Sequence, residues 1–243
     1  GVTELIVRRP PFGKIAPGAH DMKREYRVLS KLYKHFPCAP RAYHLCEDES
    51  VIGARFVVIE RRQGVVVRTE DTNPFPGFEN VEERLIKAQV KAHADLHLVD
   101  YQAAGLERLG RPAGFLERQV AGWQKRWELS KTDESEVMEE VFQILQSSIP
   151  ASSRVSIIHN DMKLDNCQFQ PDNPDVVTSI FDWDMCTLGD PLADFGTSLS
   201  YYPDESLKEY EHLLVTLKGS YPPKQVLIDA YQEYMGFSMD SID

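Results

Sequence analysis

The segment IIHNDMKLDN, residues 157–166, concentrates side chains that can do chemistry directly after an apolar run. Its candidate members are His159, Asp161, Lys163 and Asn166. A second apolar segment, SIFDWD, delivers Asp182 sixteen residues later. Phosphoryl transfer needs an acid that accepts the nucleophile's proton, ligands for Mg²⁺ and a cation near the moving phosphoryl group. Because carboxylate and amide oxygens suit Mg²⁺, the spacing predicts a phosphoryl-transfer site.

Short apolar runs must position these groups. RVSIIH, residues 154–159, and VVTSIFDWD, residues 176–184, predict two strands around the segment. Side chains alternate along a strand, so Asp184 is expected on the same face as Asp182, where it could assist the metal or cap the next turn. Isolated Asp and Asn usually cap turns in loops. Because several suitable residues occur together at this spacing, the sequence favours a phosphoryl-transfer site over isolated turn caps.

The first 62 residues predict a strand, a helix and a strand. TELIVRR, residues 3–9, is short and β-branched, and ARFVVIERR, residues 54–62, reads as the second strand. Between them, residues 21–36 carry apolar residues at helical spacing, with Asp21 as a candidate N-cap. The segment RQGVVVRTEDTNPFPG is the expected joint to the remainder.

The remainder is mainly helical by pattern. Residues 80–100 predict a long helix, and Asn80 with Glu83 forms a capping-box pattern. Further helices are predicted over residues 114–130, over 136–149 and from about Leu192 onward. This order predicts an α+β chain with a small strand-rich part followed by a larger helical part.

Two residue pairs on these helices have alternative interpretations. His93 and His97 stand four apart, a spacing that suits a metal, but Ala94 occupies the position where the zinc-protease signature needs glutamate, so helix-packing histidines are favoured. Trp123 and Trp127 also stand four apart. They could line an acceptor pocket, but core packing is the favoured interpretation.

Composition excludes several classes. The net charge of −11 argues against a protein that binds nucleic acid, and no apolar run is long enough to cross a membrane. Residues 1–43 hold nine Lys and Arg against three Asp and Glu, an excess of six positive charges, so the rest carries −17. This asymmetry could hold a polyanion, although a solvated helix surface is the commoner cause.

Four scattered cysteines predict neither a zinc site nor disulfides, and a cytoplasmic location is expected.

The order H-x-D-x-x-x-x-N followed by an apolar D-x-D segment resembles the aminoglycoside phosphotransferase and choline kinase group. The resemblance continues through HADLHLVDYQAAGL, GFLERQVAGWQKRW and TLGDPLADFGTSL. It looks most like the phosphotransferase subfamily related to a domain fused to some acyl-CoA dehydrogenases, and it covers about Leu5 to Tyr234. It implies a two-lobed protein-kinase-like fold, with a small β-rich N-terminal lobe at residues 1–64 and a larger, mainly helical C-terminal lobe at 65–243.

The resemblance also implies roles in the C-terminal lobe. Asp161 would be the catalytic base, and Lys163 would contact the γ-phosphate of ATP. Asn166 and Asp182 would hold Mg²⁺, with Asp184 as an additional ligand. Two further residues would be structural: His159 as a member of the catalytic loop, and Asp194 as a partner of the loop backbone.

The resemblance also implies nucleotide-binding residues in the N-terminal lobe. Arg8 would replace the usual phosphate-binding lysine, with Glu25 as its helix partner. Backbone groups near Glu60 and Arg62 would meet adenine at the hinge between the lobes. Kinase folds cover the phosphates with a Gly-rich hairpin before the lysine strand, whereas this sequence begins almost at that strand. Either two strands are lacking, which would weaken ATP binding, or the native protein extends upstream.

These observations predict an ATP-dependent kinase that phosphorylates a hydroxyl of a small molecule. An aminoglycoside, a choline-like compound, a hydroxyacyl thioester and another metabolite all remain possible acceptors. Two alternatives stay open: a protein kinase, and a nucleotide-binding or scaffold module that has lost catalysis. Trp183 and Asp184 after the metal aspartate, instead of Phe-Gly, argue against the first. Intact Asp161, Asn166 and Asp182 argue against the second.

Overall fold

The computed structural model describes residues 4–13, 20–68, 74–152, 154–202, 216 and 220–236. The helices within these ranges are α1 Met22–Leu32, α2 Val81–His97, α3 Phe115–Ser130, α4 Glu136–Ser147, α5 Pro191–Leu199 and α6 Lys224–Met235. The strands are β1 Leu5–Arg8, β2 Ala42–Cys46, β3 Phe56–Glu60, β4 Val65–Val66, β5 Ser156–Ile158, β6 Cys167–Gln170, β7 Asn173–Ile180 and β8 Thr187–Gly189. Two short 3₁₀ turns, Leu164–Asn166 and Trp183–Met185, follow the two apolar runs of the candidate site.

The N-terminal part is an antiparallel sheet in the order β1-β3-β2, with α1 packed against it. Asp21 caps α1 as predicted, because its side chain accepts hydrogen bonds from the backbone N–H groups of Lys23 and Arg24. The predicted order of strand, helix and strand is incomplete. β2 was missed because AYHLC has only one buried position in five and carries no apolar alternation.

The larger part surrounds α2. This helix packs against β7 and α6, while β4, β6 and β7 form a second antiparallel sheet and β5 pairs with β8. Because β4 pairs with β6, the chain joins this second sheet from Val65 onward. The division into lobes at residues 64 and 65 stays a prediction.

The predicted capping box at the start of α2 is wrong. Asn80 precedes the helix in a left-handed conformation, with φ of 52°, and its side chain makes no capping hydrogen bond. An N-cap side chain reaches the N–H groups of the first turn from extended backbone, which Asn80 does not adopt. The helix is stabilised by burial instead, since Leu85, Ile86 and Leu96 are almost fully enclosed.

The core continues between the sheets and the helices around Trp183. Its indole is fully buried, donates to the carbonyl of Ile180 at 2.8 Å and meets Phe36 edge-on. A close contact fixes the start of α3 against β8, because a Cβ at Gly189 would lie 2.8 Å from Cζ of Phe115. The first residue of α3 is therefore held beside the strand that follows the candidate site.

The remaining composition-based expectations concern cysteines and membranes. All four cysteines are free thiols. Among the helices that the structure describes, none combines the length and apolarity needed to span a bilayer.

Candidate active site

The loop after β5 brings Asp161 and Asn166 together. Nδ2 of Asn166 donates to both the carbonyl oxygen and Oδ2 of Asp161, at 2.9 Å in each case. Both partners are acceptors, so the amide orientation is fixed and Oδ1 of Asn166 is the atom left to bind a cation. Lys163 extends its Nζ to 3.4 Å from Oδ2 of Asp161. Three predicted site residues therefore share one cluster.

Tyr201 is a member of this cluster that the sequence did not reveal. Its hydroxyl donates to Oδ1 of Asp161 at 2.7 Å, and Nζ of Lys163 lies 5.7 Å from its ring centroid. Burial and the hydrogen bond to Asp161 raise the pKa of Tyr201, so the phenol stays a donor. Tyr201 follows α5, forty residues from Asp161, and no local pattern distinguishes it from its neighbour Tyr202.

Asp194 anchors the loop from α5. Its two carboxylate oxygens accept the backbone N–H groups of His159 and Asn160, each at 2.7 Å. This contact confirms the predicted bond to the catalytic-loop backbone. Asn160 needs such support because it adopts a left-handed conformation with φ of 65°, which is unfavourable for a residue other than glycine.

His93 and His97 also bind Asp194. The Nε2 atoms of both rings lie 3.0 Å from its Oδ2, and Tyr231 contacts Nδ1 of His97 through its hydroxyl at 2.6 Å. The ligand atoms of His93, His97 and Asp194 lie within 4.8 Å of one another, a distance that would suit a metal. However, Oδ2 of Asp194 already has three nitrogen partners, the two rings and the backbone N–H of His159, so its lone pairs are filled. The favoured interpretation as packing histidines therefore fits the contacts.

His159 has a structural position. Its Nε2 contacts the carbonyl oxygen of Phe181 at 2.8 Å, and its ring meets Trp183 edge-on. The side chain is fully buried, and this burial lowers its pKa. His159 therefore joins the Asp161 loop to the segment that carries Asp182.

The predicted strand alternation of Asp182 and Asp184 is wrong. β7 ends at Ile180, Asp182 is left-handed with φ of 63°, and Asp184 lies in the following 3₁₀ turn. The reason is local: β7 gives way to a turn whose hydrogen bonds run from Cys186 to Trp183. The turn nevertheless leaves the two carboxylates close enough for each to influence the pKa of the other.

The pKa values of the two carboxylates are shifted in opposite directions. Burial tends to raise the pKa of Asp182, but Arg8 outweighs it, with Nη2 at 2.5 Å from Oδ1, and lowers that pKa. Burial and the charge of Asp182 raise the pKa of Asp184, whose Oδ2 accepts the backbone N–H of His20 at 3.0 Å. Close carboxylates of this kind lower their repulsion by sharing a proton or a cation.

Arg8 connects this pair to α1. Its Nε lies 2.8 Å from Oε2 of Glu25, although the geometry is not that of a hydrogen bond. Burial raises the pKa of Glu25 to about 7, while Arg8 acts to lower it. The structure thus brings together Arg8, Glu25 and Asp182. They are the predicted phosphate-binding residue, its helix partner and a predicted metal ligand.

Glu60 and Arg62, the two candidate hinge residues, form an ion pair with each other. Nε of Arg62 lies 3.0 Å from Oε2 of Glu60, which also accepts the backbone N–H of Arg41. Arg62 donates further to the carbonyl of Ala39 at 3.2 Å. Contact of their backbone with adenine stays a prediction.

A cavity of about 400 Å³ opens beside the catalytic loop, between α1, α3 and β8. Asn160 and Asp184 lie at its catalytic end, and Trp123 lines it from α3. The preferred interpretation of Trp123 as a core residue is wrong, since its side chain is 56% exposed. α3 packs against α4, and the face of α3 that carries Phe115, Arg118 and Trp123 lines the cavity.

The α+β architecture is the protein-kinase-like fold, which the solved neighbours share. A candidate aminoglycoside phosphotransferase from Ralstonia eutropha superposes with a TM-score of 0.74 at 31% identity, over 97% of this chain and 69% of the other. An aminoglycoside phosphotransferase from Streptomyces rimosus, solved with ADP and streptomycin, gives a TM-score of 0.62 at 14% identity, over 97% and 81%. The fold and the Asp161 cluster define a phosphotransferase of the kinase type.

The chain belongs to the phosphotransferase enzyme family, which it matches over residues 1–225. Among curated proteins it is 33% identical to acyl-CoA dehydrogenase family member 10 of Mus musculus over 82% of its length. It is 30% identical to acyl-CoA dehydrogenase family member 11 of Homo sapiens over 98% of its length. The chain spans 18% and 30% of these two relatives, respectively. The resemblance to the phosphotransferase domain of such proteins is therefore confirmed.

Proposed function

We propose that the chain is an ATP-dependent phosphotransferase that moves the γ-phosphoryl group to a hydroxyl of a small molecule. The observation that carries this proposal is the contact between Asp161 and the amide nitrogen of Asn166, which leaves Oδ1 of Asn166 for a cation. A proton acceptor and a cation ligand thereby lie side by side in one anchored loop. Phosphoryl transfer by kinases depends on this combination.

The residues of the chain would act in the following way. Asp161 accepts the proton of the acceptor hydroxyl, the freed oxygen attacks the γ-phosphorus, and the bond to the bridging oxygen breaks to release ADP. Tyr201 and Asn166 each donate to one oxygen of Asp161, so the carboxylate is held in orientation while lone pairs remain for the substrate. Lys163 stands beside it and offers positive charge to the transferred group.

The donor set of the site fits Mg²⁺. Oδ1 of Asn166 and the carboxylates of Asp182 and Asp184 are hard oxygen ligands, and a cation between the two acids would relieve the repulsion by which the charge of Asp182 raises the pKa of Asp184. Mg²⁺ bound there would neutralise phosphate charge. Arg8 contacts Asp182 and is therefore placed to exchange the carboxylate for phosphate oxygens.

The solved neighbours support the proposal that this chain binds a nucleotide. The solved neighbours include one complex with ADP and streptomycin and one with GDP and kanamycin. Both neighbours share less than a quarter of their residues with this chain, so they support the fold, and ATP is our proposal for the nucleotide. A cytoplasmic location and the absence of nucleic-acid and membrane partners stay predictions.

Two alternatives are less well supported. A protein kinase would carry an activation loop after the metal aspartate, but here a 3₁₀ turn, β8 and α5 follow Asp182 with short connections. A lapsed module is favoured by one contact, the ion pair of Arg8 with Asp182, which occupies an oxygen needed for the metal. The binding experiment below distinguishes this alternative.

The test is a calorimetric titration of ATP into the protein, with and without Mg²⁺, for the parent and for Asp182→Asn. We expect Mg²⁺-dependent binding that the substitution weakens by about tenfold or more, because a hydrogen-bonded charge contributes about 1.5–3 kcal/mol. Asp172→Asn, which alters an exposed acid in the turn after β6, is the matched control and should bind like the parent.

Binding of ATP that is equal with and without Mg²⁺, and equal in both variants, would favour the lapsed module. Lack of any ATP binding by a folded protein would overturn the proposal. Thermal unfolding of each variant, measured in parallel, shows that the comparison concerns folded molecules.

A further inference from the structure

The cavity beside the catalytic loop has a strongly basic lining. Four arginines from two separate parts of the chain contribute to it: Arg24, Arg111, Arg118 and Arg126. Among the described residues that line the cavity, the one carboxylate is that of Asp184, which belongs to the proposed metal site. The part of the cavity away from the metal site is therefore positively charged, in a protein whose acids outnumber its bases by 38 to 27.

The four cavity arginines differ from other arginines of the described part of the chain in their ion pairing. Five arginines elsewhere form ion pairs with carboxylates, but within the described ranges none of the four cavity arginines does. Like charges held close together repel one another, so such a cluster is unfavourable without a counter-ion. An anionic ligand would remove this repulsion.

Part of the cluster is held in place. Both terminal nitrogens of Arg118 donate to backbone carbonyls, those of Ala113 and Arg111. The guanidinium of Arg126 stacks on Trp123, 4.6 Å from the ring centroid. Side chains that are fixed before binding lose less conformational entropy when a ligand arrives. Two of the four arginines are thus prearranged by contacts within the protein.

The position of the cavity connects it to the transfer reaction. Its catalytic end is formed by Asn160, the residue before Asp161, and by Asp184. A molecule that placed a hydroxyl near Asp161 would extend its other end towards α3 and the arginines. A volume of about 400 Å³ suits a small molecule.

We infer that the acceptor is a hydroxylated compound that carries at least two negative charges, as a phosphate ester does, and that the four arginines bind its anionic end. Arginine is suited to this role because its planar fork binds phosphate and carboxylate oxygens in pairs. A cationic acceptor, such as streptomycin in the Streptomyces rimosus neighbour, would meet like charge here. That the bound anion is the acceptor depends on the proposed phosphotransferase function.

The first experiment measures the anion site alone. Inorganic pyrophosphate is titrated calorimetrically into the protein in the presence of EDTA, so that Mg²⁺ does not contribute. We expect saturable binding, weakened by about tenfold or more in the double variant Arg111→Gln and Arg126→Gln, since each lost charged hydrogen bond has a large effect. Arg108→Gln, an exposed arginine outside the cavity, is the control and should leave the affinity unchanged.

The second experiment identifies the class of anion by displacement of pyrophosphate. Glucose 6-phosphate represents hydroxylated phosphate esters, malate represents hydroxylated dicarboxylates, and glycerol and choline are the uncharged and cationic comparisons. Displacement by either anion supports the inference, and the stronger of the two identifies the anionic group. Displacement by choline, or pyrophosphate binding that is unchanged in the double variant, would overturn it.

The two proposals can fail separately. Loss of MgATP binding with intact pyrophosphate binding would remove the kinase function and leave an anion site. Intact MgATP binding without an arginine-dependent pyrophosphate site would leave the kinase function and remove the anionic acceptor.

Discussion

At the scale of single residues, the orientation of Asp161 depends on two neutral donors. Asn166 holds Oδ2 and Tyr201 holds Oδ1. A carboxylate gripped on both oxygens keeps one orientation, and a general base must lie within hydrogen-bond reach of the proton that it removes. Tyr201 is therefore a positioning residue for Asp161.

Substitution Tyr201→Phe tests this role. We expect kcat for ADP release from MgATP, with water as the acceptor, to fall by about tenfold because one charge-assisted hydrogen bond is lost. KM for MgATP should remain near that of the parent, since Tyr201 contacts Asp161 and not the proposed metal ligands. Asp161→Asn is the reference variant and should lower kcat by about 10²–10⁴.

Whether Tyr201→Phe changes kcat or KM shows whether Tyr201 positions the base or belongs to nucleotide binding. If Tyr201→Phe raised KM and left kcat unchanged, the tyrosine would belong to nucleotide binding and the positioning role would be wrong. Tyr43→Phe, an exposed tyrosine on β2, is the matched control for the loss of a phenol.

At the scale of elements, α5 and α2 hold the catalytic loop through one carboxylate. Asp194 accepts two backbone N–H groups from the loop and contacts two histidines from α2. Burial acts to raise the pKa of Asp194, but the interactions with His93 and His97 outweigh it and lower that pKa well below its ordinary value. The loop, α2 and α5 are thus fixed as one unit.

We expect Asp194→Asn to lower the free energy of unfolding by about 3–5 kcal/mol, since removing one partner of a buried charged network has this effect. The amide group can accept at one atom only, so backbone N–H groups lose their acceptor. Urea denaturation measures the loss. Asp229→Asn on the exposed face of α6 should change stability little. A variant as stable as the parent would show that the loop does not need this anchor.

Local patterns predicted the elements of this site better than their junctions. The helix of residues 22–32 and its Asp21 cap follow from periodicity and side-chain type, which act within one turn. The left-handed backbone of Asn80 and Asp182 does not, because tertiary contacts determine those conformations. The exposure of Trp123 was also unpredictable, since the same spacing on α3 suits a core face or a cavity face.

The spacing of the catalytic loop was informative for a different reason. Asp161 and Asn166 are five residues apart, so a short loop with one 3₁₀ turn is enough to bring them together. Tyr201 and the cavity arginines come from distant parts of the chain, and only the packed fold brings them to the loop. Sequence spacing therefore revealed the local half of the site.

At the scale of the whole molecule, two buried groups give opposite dependences of stability on pH. Burial and the charge of His93 lower the pKa of His97 from 6.5 to about 4, while burial raises the pKa of Glu25 from 4.5 to about 7. The unfolded chain binds a proton at His97 more readily than the folded protein does, so His97 lowers stability as pH falls below 6.5. Glu25 is protonated more readily in the folded protein, so its contribution is lost as pH rises from 4.5 to 7.

Each shift corresponds to about 3 kcal/mol, at about 1.4 kcal/mol for each pH unit between the folded and unfolded pKa values. Because burial also lowers the pKa of His159, that residue adds a slope of the same sign as the slope of His97, and each variant is therefore compared with the parent. Relative to the parent, His97→Gln should lose stability as pH rises. Relative to the parent, Glu25→Gln should gain stability as pH rises. Urea denaturation at pH 4.5, 5.5 and 6.5 measures all three profiles, and parallel profiles would contradict the assignment of these slopes to His97 and Glu25.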